Sequence, residues 1–165
     1  MNMKTSRISS ILYKVIYKIK RLLWLFFHPY LWKMDAQING IPVIQIPDKL
    51  VIGKHVSINE RVFIQAKGGV SIGNNVTLSY GTTILTEGLD TMHYQVECKN
   101  QHRKHVYNSV RIGDGTWIAA NVIILPGASV AKGCIVAAGS VVKGNLDKDN
   151  ALYGGVPATF IRDLV

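Results

Sequence analysis

The segment Val110-Arg-Ile-Gly-Asp-Gly-Thr-Trp-Ile-Ala-Ala-Asn-Val-Ile-Ile-Leu-Pro-Gly127 carries an isoleucine at every sixth residue, from Ile112 onward. Neither the helical period of about 3.6 residues nor strand alternation alone explains a spacing of six. The spacing recurs in both directions, with two longer steps, at Ile46, Ile52, Ile58, Ile64, Ile72, Leu78, Ile84, Ile112, Ile118, Ile124, Val130, Val136 and Val142. Small or β-branched residues lie four places after many of these, at Val56, Val62, Val76, Thr116, Val122, Ala128 and Cys134. A fixed short period indicates stacked repeats.

The six-residue repeat predicts a parallel β-helix of about five coils between about residues 38 and 145, because three hexads complete one triangular coil. The recurring aliphatic side chains would point inward and form a continuous core. Glycine and asparagine suit corners that need a positive φ, at Gly53, Gly73, Asn74, Asn75, Gly113 and Gly115. Each end of the β-helix needs a cap, which the start of the chain and the segment after Val142 can provide.

Two longer steps interrupt the repeat. A step of eight residues follows Ile64 and predicts a local excursion at Lys67-Gly68-Gly69 that has no functional role. A step of 28 residues follows Ile84 and predicts that residues 86–109 leave the β-helix as a loop. Three of the five histidines of the chain fall in this loop: His93, His102 and His105. Long loops on rigid scaffolds tend to carry function, so we expect the active site there.

The net charge of +9 is concentrated at the start of the chain. Residues 1–34 contain seven Lys and Arg and no Asp or Glu, whereas residues 35–165 contain 12 basic and 10 acidic residues. The nearly neutral remainder argues against nucleic-acid binding, which needs a clustered basic surface. Two cysteines, Cys98 and Cys134, are too few for a disulfide framework and favour a reducing cytoplasm.

The charge distribution divides the chain into a basic leader, residues 1–34, and a β-helix domain, residues 35–165. Helical spacing of apolar residues predicts an amphipathic helix over residues 5–27, at Ile8, Ile11, Leu12, Val15, Ile16, Ile19, Leu22, Leu23 and Phe26. Its uncharged runs are far too short to span a bilayer, and no signal-peptide cleavage pattern follows. Two interpretations stay open. The helix lies on the inner face of a membrane with its basic residues on anionic headgroups, or it packs on its own oligomer.

Two further segments, Val136-Ala-Ala-Gly-Ser-Val-Val142 and Tyr153-Gly-Gly-Val-Pro-Ala-Thr-Phe-Ile-Arg162, complete a pattern that resembles the hexapeptide-repeat acyltransferases. The resemblance covers about residues 45–162. Its nearest branch is the sugar and polysaccharide O-acetyltransferases, which include galactoside, maltose and capsule-type enzymes. The resemblance implies a left-handed parallel β-helix and a homotrimer with active sites between subunits. It also implies acetyl-coenzyme A (acetyl-CoA) as co-substrate, with no metal required.

The resemblance further implies the chemistry of the site. A loop histidine acts as general base on the acceptor hydroxyl, and the oxygen attacks the thioester directly while a backbone N–H stabilises the oxyanion. Imidazole suits this step because its ordinary pKa lies close to working pH. Five positions match residues that bind the cofactor in the family: Trp117, Ala120, Ala138, Thr159 and Arg162.

The identity of the base stays open between loop histidines. Galactoside-type members carry the base in a Gly-His pair, but here Gly88 is followed by Leu89. Members that resemble this chain at Gly88-Leu-Asp-Thr91 keep a histidine just before the chain re-enters the coil, which matches His105. His93 and His102 are the alternatives. Either Glu87 or Asp90 could orient the imidazole.

The favoured function is acetyl-CoA-dependent O-acetylation of a sugar hydroxyl in polysaccharide or glycan biosynthesis. N-acetylation of an amino sugar, or acetylation of a xenobiotic, fits the same resemblance. A zinc enzyme of the carbonic anhydrase type would need several histidines on the coils, which carry only His55. A non-catalytic scaffold docked on a membrane through the leader is a further alternative.

Overall fold

The structure is a computed structural model that describes residues 3–92 and 103–164. The chain forms two compact units, Met1–Lys33 and Met34–Val165. The first unit contains helix α1 (Met3–Phe26) and the short helix α2 (Pro29–Lys33), so the predicted amphipathic helix is confirmed. A proline disfavours helical geometry at the residue before it, which explains why α1 ends just before His28-Pro29. Neither described helix is long and apolar enough to cross a membrane.

The second unit is built from short strands on three faces. Face A contains β1 (Gln37–Ile38), β4 (Ser57–Ile58), β7 (Thr77–Leu78), β12 (Trp117–Ile118), β15 (Ile135–Val136), β18 (Ala151–Gly155) and β19 (Ala158–Asp163). Face B contains β2 (Val43–Gln45), β5 (Phe63–Gln65), β8 (Thr83–Ile84), β13 (Ile123–Ile124) and β16 (Val141–Val142). Face C contains β3 (Leu50–Ile52), β6 (Val70–Ile72), β11 (Val110–Ile112), β14 (Ser129–Val130) and β17 (Asn145–Leu146). Two more strands, β9 (Glu87–Leu89) and β10 (His105–Tyr107), form a separate hairpin.

Neighbouring strands of each face run parallel, except that the last strand, β19, pairs antiparallel with β18. The repeat residues of successive coils pair in register. Ile112 pairs with Ile72, Ile118 with Leu78, and Ile124 with Ile84. The side chains therefore stack inside the triangular coil, and those of the repeat from Ile52 to Val142 are all buried. Thr82 and Ser140 occupy the second inward position of two coils, where the sequence pattern is less obvious. The fold is the predicted left-handed parallel β-helix of about five coils with an N-terminal helix and an extruded loop.

The first residue of the predicted repeat does not belong to the core. Ile46 is 40% exposed and has a φ of 56°, immediately before a 3-10 turn over Pro47–Lys49. The turn directs the chain away from strand β2 and places Ile46 outside the coil, so this prediction is wrong. Leu50 supplies the buried side chain where β3 begins.

Three of the corner glycines have a different role from the one predicted. Asn75 and Gly115 have positive φ, but Gly53, Gly73 and Gly113 do not. Neighbouring coils instead approach these three glycines closely. A Cβ on Gly53 would lie 2.6 Å from the carbonyl carbon of Gly73, and a Cβ on Gly113 would lie 2.7 Å from the amide nitrogen of Lys132. Only a residue without a side chain fits such a separation.

Candidate active site

The loop that interrupts the repeat starts and ends as an antiparallel hairpin at the corner between faces B and C. In this hairpin Glu87 pairs with Tyr107, and Leu89 pairs with His105. The amide of Asp90 donates a hydrogen bond to the carbonyl oxygen of Lys104, 2.9 Å away, which extends the hairpin by one step. His93 and His102 lie outside the described residues, so the structure places only His105 among the three loop histidines.

The imidazole of His105 lies against the carboxylate of Glu87. The Nδ1 atom is 2.7 Å from Oε1, the His105 side chain is 49% exposed, and the Glu87 side chain is 17% exposed. A carboxylate can only accept a hydrogen bond, so we assign the proton of the neutral imidazole to Nδ1. This assignment leaves Nε2 without a proton and able to accept one. The pair has the arrangement expected of a general base and its orienting carboxylate.

Three groups on the preceding coil hold Glu87 in place. The Lys67 ammonium lies 3.1 Å from Oε1, and the Gln65 amide nitrogen donates to Oε2 over 3.3 Å. The Gln65 side-chain oxygen also accepts the backbone amide of Glu87, 3.1 Å away. Both the backbone and the side chain of Glu87 are therefore fixed by side chains at the end of β5 and just after it. A carboxylate held in this way restricts the imidazole that it contacts.

The charges around Glu87 keep it ionised. The hydrogen bond from Lys67, followed by one from Tyr107 and by the positive charges nearby, lowers the pKa of the Glu87 carboxyl below its ordinary value. Hydrogen bonds to Tyr107 and Glu87 raise the pKa of Lys67. The Lys67 ammonium lies 4.7 Å from the centre of the Tyr107 ring, within the range of a cation–π contact. A negative charge therefore faces His105 at neutral pH.

The eight-residue step of the repeat supplies part of this cluster. The backbone amide of Gly68 donates to the Thr86 hydroxyl over 2.9 Å, and that hydroxyl donates to the Gln65 carbonyl oxygen over 2.6 Å. The excursion thus packs directly under the first residue of the loop and presents Lys67 to Glu87. The sequence did not predict the contact of Lys67 with Glu87, because the periodicity does not show which loop residue lies above the excursion.

Asp90, the other predicted partner of the base, interacts elsewhere. Its carboxylate lies 3.4 Å from the Lys104 ammonium and accepts the Met92 amide over 3.0 Å. Among the described residues, no group of three or more His, Cys, Asp or Glu side chains is arranged to hold a metal ion. Of the two predicted carboxylates, Glu87 is the one that the structure places against the His105 imidazole.

A second feature, a groove of about 740 Å³, lies where face A meets face B. Three of the predicted cofactor-binding residues, Trp117, Ala120 and Ala138, line this groove together. Trp117 is 48% exposed, and its Nε1–H donates to the Ser79 hydroxyl over 2.9 Å. The two alanines leave room that larger side chains would fill. The groove is long, largely apolar and open at the surface, so it suits a flexible chain with few charges.

The two remaining predicted residues lie beside the groove but do not line it. Thr159 and Arg162 are on β19, where Thr159 pairs with Gly154 and Arg162 pairs with Leu152. Leu152 is itself a lining residue, so Arg162 lies one strand away from the groove. The Arg162 guanidinium donates to the Asp163 carbonyl oxygen over 3.0 Å. Asn59, Glu60 and Tyr80 line the groove and were not predicted, because only the register of successive coils aligns them with Trp117.

The histidine and the groove lie at different corners of the same coil. The groove lies at the corner between faces A and B, and the hairpin leaves the corner between faces B and C. Five to six extended residues separate successive corners, a distance of roughly 15–20 Å. Within the described residues of one chain, His105 and the groove therefore lie on two separate surfaces.

Comparisons with known proteins agree with the repeat and the fold. The family model described as bacterial transferase hexapeptide (six repeats) matches residues 109–144. The galactoside O-acetyltransferase of Escherichia coli (strain K12) is 27% identical over 113 residues, which cover 68% of this chain and 53% of that protein. The chain spans between 53% and 64% of the length of the first three curated relatives that it matches.

Two solved structures show the same architecture. A hexapeptide-repeat-containing acetyltransferase, VCA0836 from Vibrio cholerae O1 biovar eltor, complexed with acetyl-CoA, has a TM-score of 0.70 at 25% identity. The match covers 79% of this chain and 68% of that one. A maltose O-acetyltransferase from Clostridium difficile 630 has a TM-score of 0.71 at 23% identity, covering 79% and 67% of the two chains. The predicted resemblance is therefore confirmed.

Proposed function

The chain belongs to the hexapeptide-repeat acyltransferases, and on this premise we propose that it transfers the acetyl group of acetyl-CoA to a hydroxyl of a sugar. The observation that carries the proposal is the contact of His105 with Glu87, 2.7 Å from nitrogen to oxygen, on the hairpin at the corner between faces B and C. The sugar acceptor is supported by the relative named galactoside O-acetyltransferase. Polysaccharide or glycan biosynthesis is the setting that we propose for this acceptor.

His105 acts as the general base in this proposal. Its Nε2 takes the proton of the acceptor hydroxyl while the oxygen forms a bond to the acetyl carbonyl carbon. The carbon–sulfur bond then breaks, and the imidazolium returns the proton to the departing thiolate. Glu87 is a positioning residue: it fixes the ring through Nδ1 and stabilises the positive charge that the ring gains. His93 remains an alternative base outside the described residues.

The groove at Trp117 is the proposed site for the cofactor. Its small apolar lining at Ala120 and Ala138 fits the narrow pantetheine arm of acetyl-CoA, and the exposed face of Trp117 offers an apolar wall. Arg162, one strand away, is the proposed contact of a phosphate at the nucleotide end, because a guanidinium suits phosphate geometry. Thr159 lies on the same strand and is proposed to contact the same end.

A homotrimer would bring the base and the groove together. Since the two surfaces lie at different corners of one coil, a second copy must present its groove to His105 for transfer to occur. A cyclic arrangement of three copies repeats this contact three times and leaves no open end. We also propose the cytoplasm as the compartment, with the leader at the inner face of the membrane.

The test is release of free thiol from acetyl-CoA in the presence of a panel of sugars, amino sugars and xenobiotic alcohols. Sugar-dependent release by the wild-type protein, lowered by His105→Ala about 100- to 10,000-fold, is the expected result. Release that depends only on amino sugars would replace O-acetylation with N-acetylation. Unchanged turnover in His105→Ala, with loss in His93→Ala, would transfer the role of base to His93.

A further inference from the structure

Helix α1 carries a continuous apolar stripe that is exposed along the described part of the helix. Eight side chains form it, and each is between 44% and 76% exposed: Ile11, Leu12, Val15, Ile16, Ile19, Leu22, Leu23 and Phe26. At about 100° per residue, these positions span an arc of about 140°. A stripe of this width normally faces a core or another apolar phase.

Basic residues border the stripe on both sides. On the same helical projection, Lys14 and Lys18 lie along one edge and Lys20 lies beyond the other. Lysine side chains at such edges can cover apolar surface with their stems while the ammonium groups reach outward. Residues 1–34 contain no acidic residue, so nothing within this segment neutralises their charge. The occupant of the stripe must therefore be apolar in the middle and anionic at its rim.

Two large aromatic side chains extend the apolar surface at the end of α1. Phe26 is 76% exposed and Phe27 is 75% exposed, and their rings meet edge to face at 5.5 Å. Beside them, the rings of Trp24 and His28 stack 3.8 Å apart. Aromatic side chains favour the boundary between headgroups and acyl chains, where an apolar ring can insert while its polar edge stays hydrated.

We propose that α1 binds the surface of a membrane that contains anionic lipid, with the apolar stripe in the acyl boundary and the lysines on the headgroups. A second copy of this chain is a poorer occupant, since two leaders would bring their basic edges together without a compensating acid. The proposal goes beyond the acyltransferase activity and does not depend on it. It would place the enzyme next to acceptors that are attached to lipid.

The experiment uses the full-length chain and flotation with phosphatidylcholine vesicles, with or without about 30% phosphatidylglycerol. The wild-type protein should float with the anionic vesicles, and the bound fraction should fall as salt is raised. Ile19→Glu places a charge in the centre of the stripe, and Ser10→Glu adds the same charge on the opposite side of the helix. Ile19→Glu should lower the partition coefficient about tenfold more than Ser10→Glu, because only the former removes apolar insertion.

Three outcomes would overturn the proposal. Equal losses in the two variants would mean that the stripe does not insert. Equal binding of the wild type to neutral and anionic vesicles would remove the role of the lysines. A lower mass in solution for Ile19→Glu, measured by light scattering, would assign the stripe to contact between copies. Thiol release with a soluble acceptor should be the same in both variants, which separates this proposal from the proposed activity.

Discussion

The replacement Glu87→Gln tests how the carboxylate positions the base. The substitution keeps the size of the side chain and removes its charge, while His105 and the groove at Trp117 are left intact. The Nδ1–H of His105 loses a charged acceptor at 2.7 Å, and Lys67 loses its partner at 3.1 Å. The imidazolium formed during transfer then has no counter-charge, and the ring is free to adopt the other tautomer.

The expected size of the effect follows from the exposure of the pair. Loss of a general base costs about 100- to 10,000-fold in rate, which is an upper limit here because the imidazole is still present. The side chain of His105 is about half exposed, so water can partly replace the carboxylate. We therefore expect kcat to fall about 10- to 100-fold, the range of a charge-assisted hydrogen bond. The KM for acetyl-CoA should not change, because the groove lies at another corner.

Asp90→Asn is the matched control. It makes the same chemical change three residues later on the same hairpin, where the carboxylate contacts Lys104 instead of the imidazole. Its kcat should stay within about threefold of the wild type. Steady-state thiol release measures both variants, and thermal unfolding measures whether either is destabilised. Equal losses in the two variants, or a wild-type kcat in Glu87→Gln, would refute the positioning role.

Two further predictions concern the groove and acid stability. Ala138→Trp should fill the groove and either raise the KM for acetyl-CoA or abolish turnover. The control, Asp147→Trp, changes an exposed residue at another corner and should do neither. Equal kinetics in the two variants would exclude this groove as the acetyl-CoA site. The folded state lowers the pKa of the Glu87 carboxyl. Its ion pair therefore stabilises the fold fully at pH values above the ordinary carboxyl pKa of about 4.3, and this stabilisation is lost as the pH falls through the lower pKa of the folded state. Urea unfolding from pH 7 to pH 3 should therefore show wild type and Glu87→Gln converging in stability on acidification, and a gap that stays constant would contradict the assignment.

The periodic part of the fold was predictable from the sequence because each inward residue occupies the same place in every coil. Ile112 stacks on Ile72, and the six-residue spacing alone is enough to predict that contact. The failure at Ile46 has a local cause: the 3-10 turn at Pro47–Lys49 overrides the repeat, and periodicity carries no information about it. A pattern of inward side chains predicts a core but not the path of its ends.

The candidate site was predictable only in part. The resemblance favoured His105 by its position before the coil and left His93 and His102 as alternatives. Which carboxylate contacts His105, Glu87 or Asp90, depended on the register of the hairpin. The contribution of Lys67 depended on which residues of successive coils lie above one another. Contacts of this kind join residues about 20 positions apart, so they follow from the stacking of coils and not from any local motif.

The central claim is that His105 of one copy completes the groove of another. Co-expression of His105→Ala with Ala138→Trp, each expected to be strongly impaired alone, tests it most directly. In mixed trimers, a working site needs an intact His105 from one subunit and an intact groove from its neighbour. Because half of the subunits carry each intact part, random assembly forms this combination at about a quarter of the interfaces. We predict recovery of about a quarter of the wild-type thiol release in the purified mixture. Activity no greater than that of the two parent variants would contradict the claim.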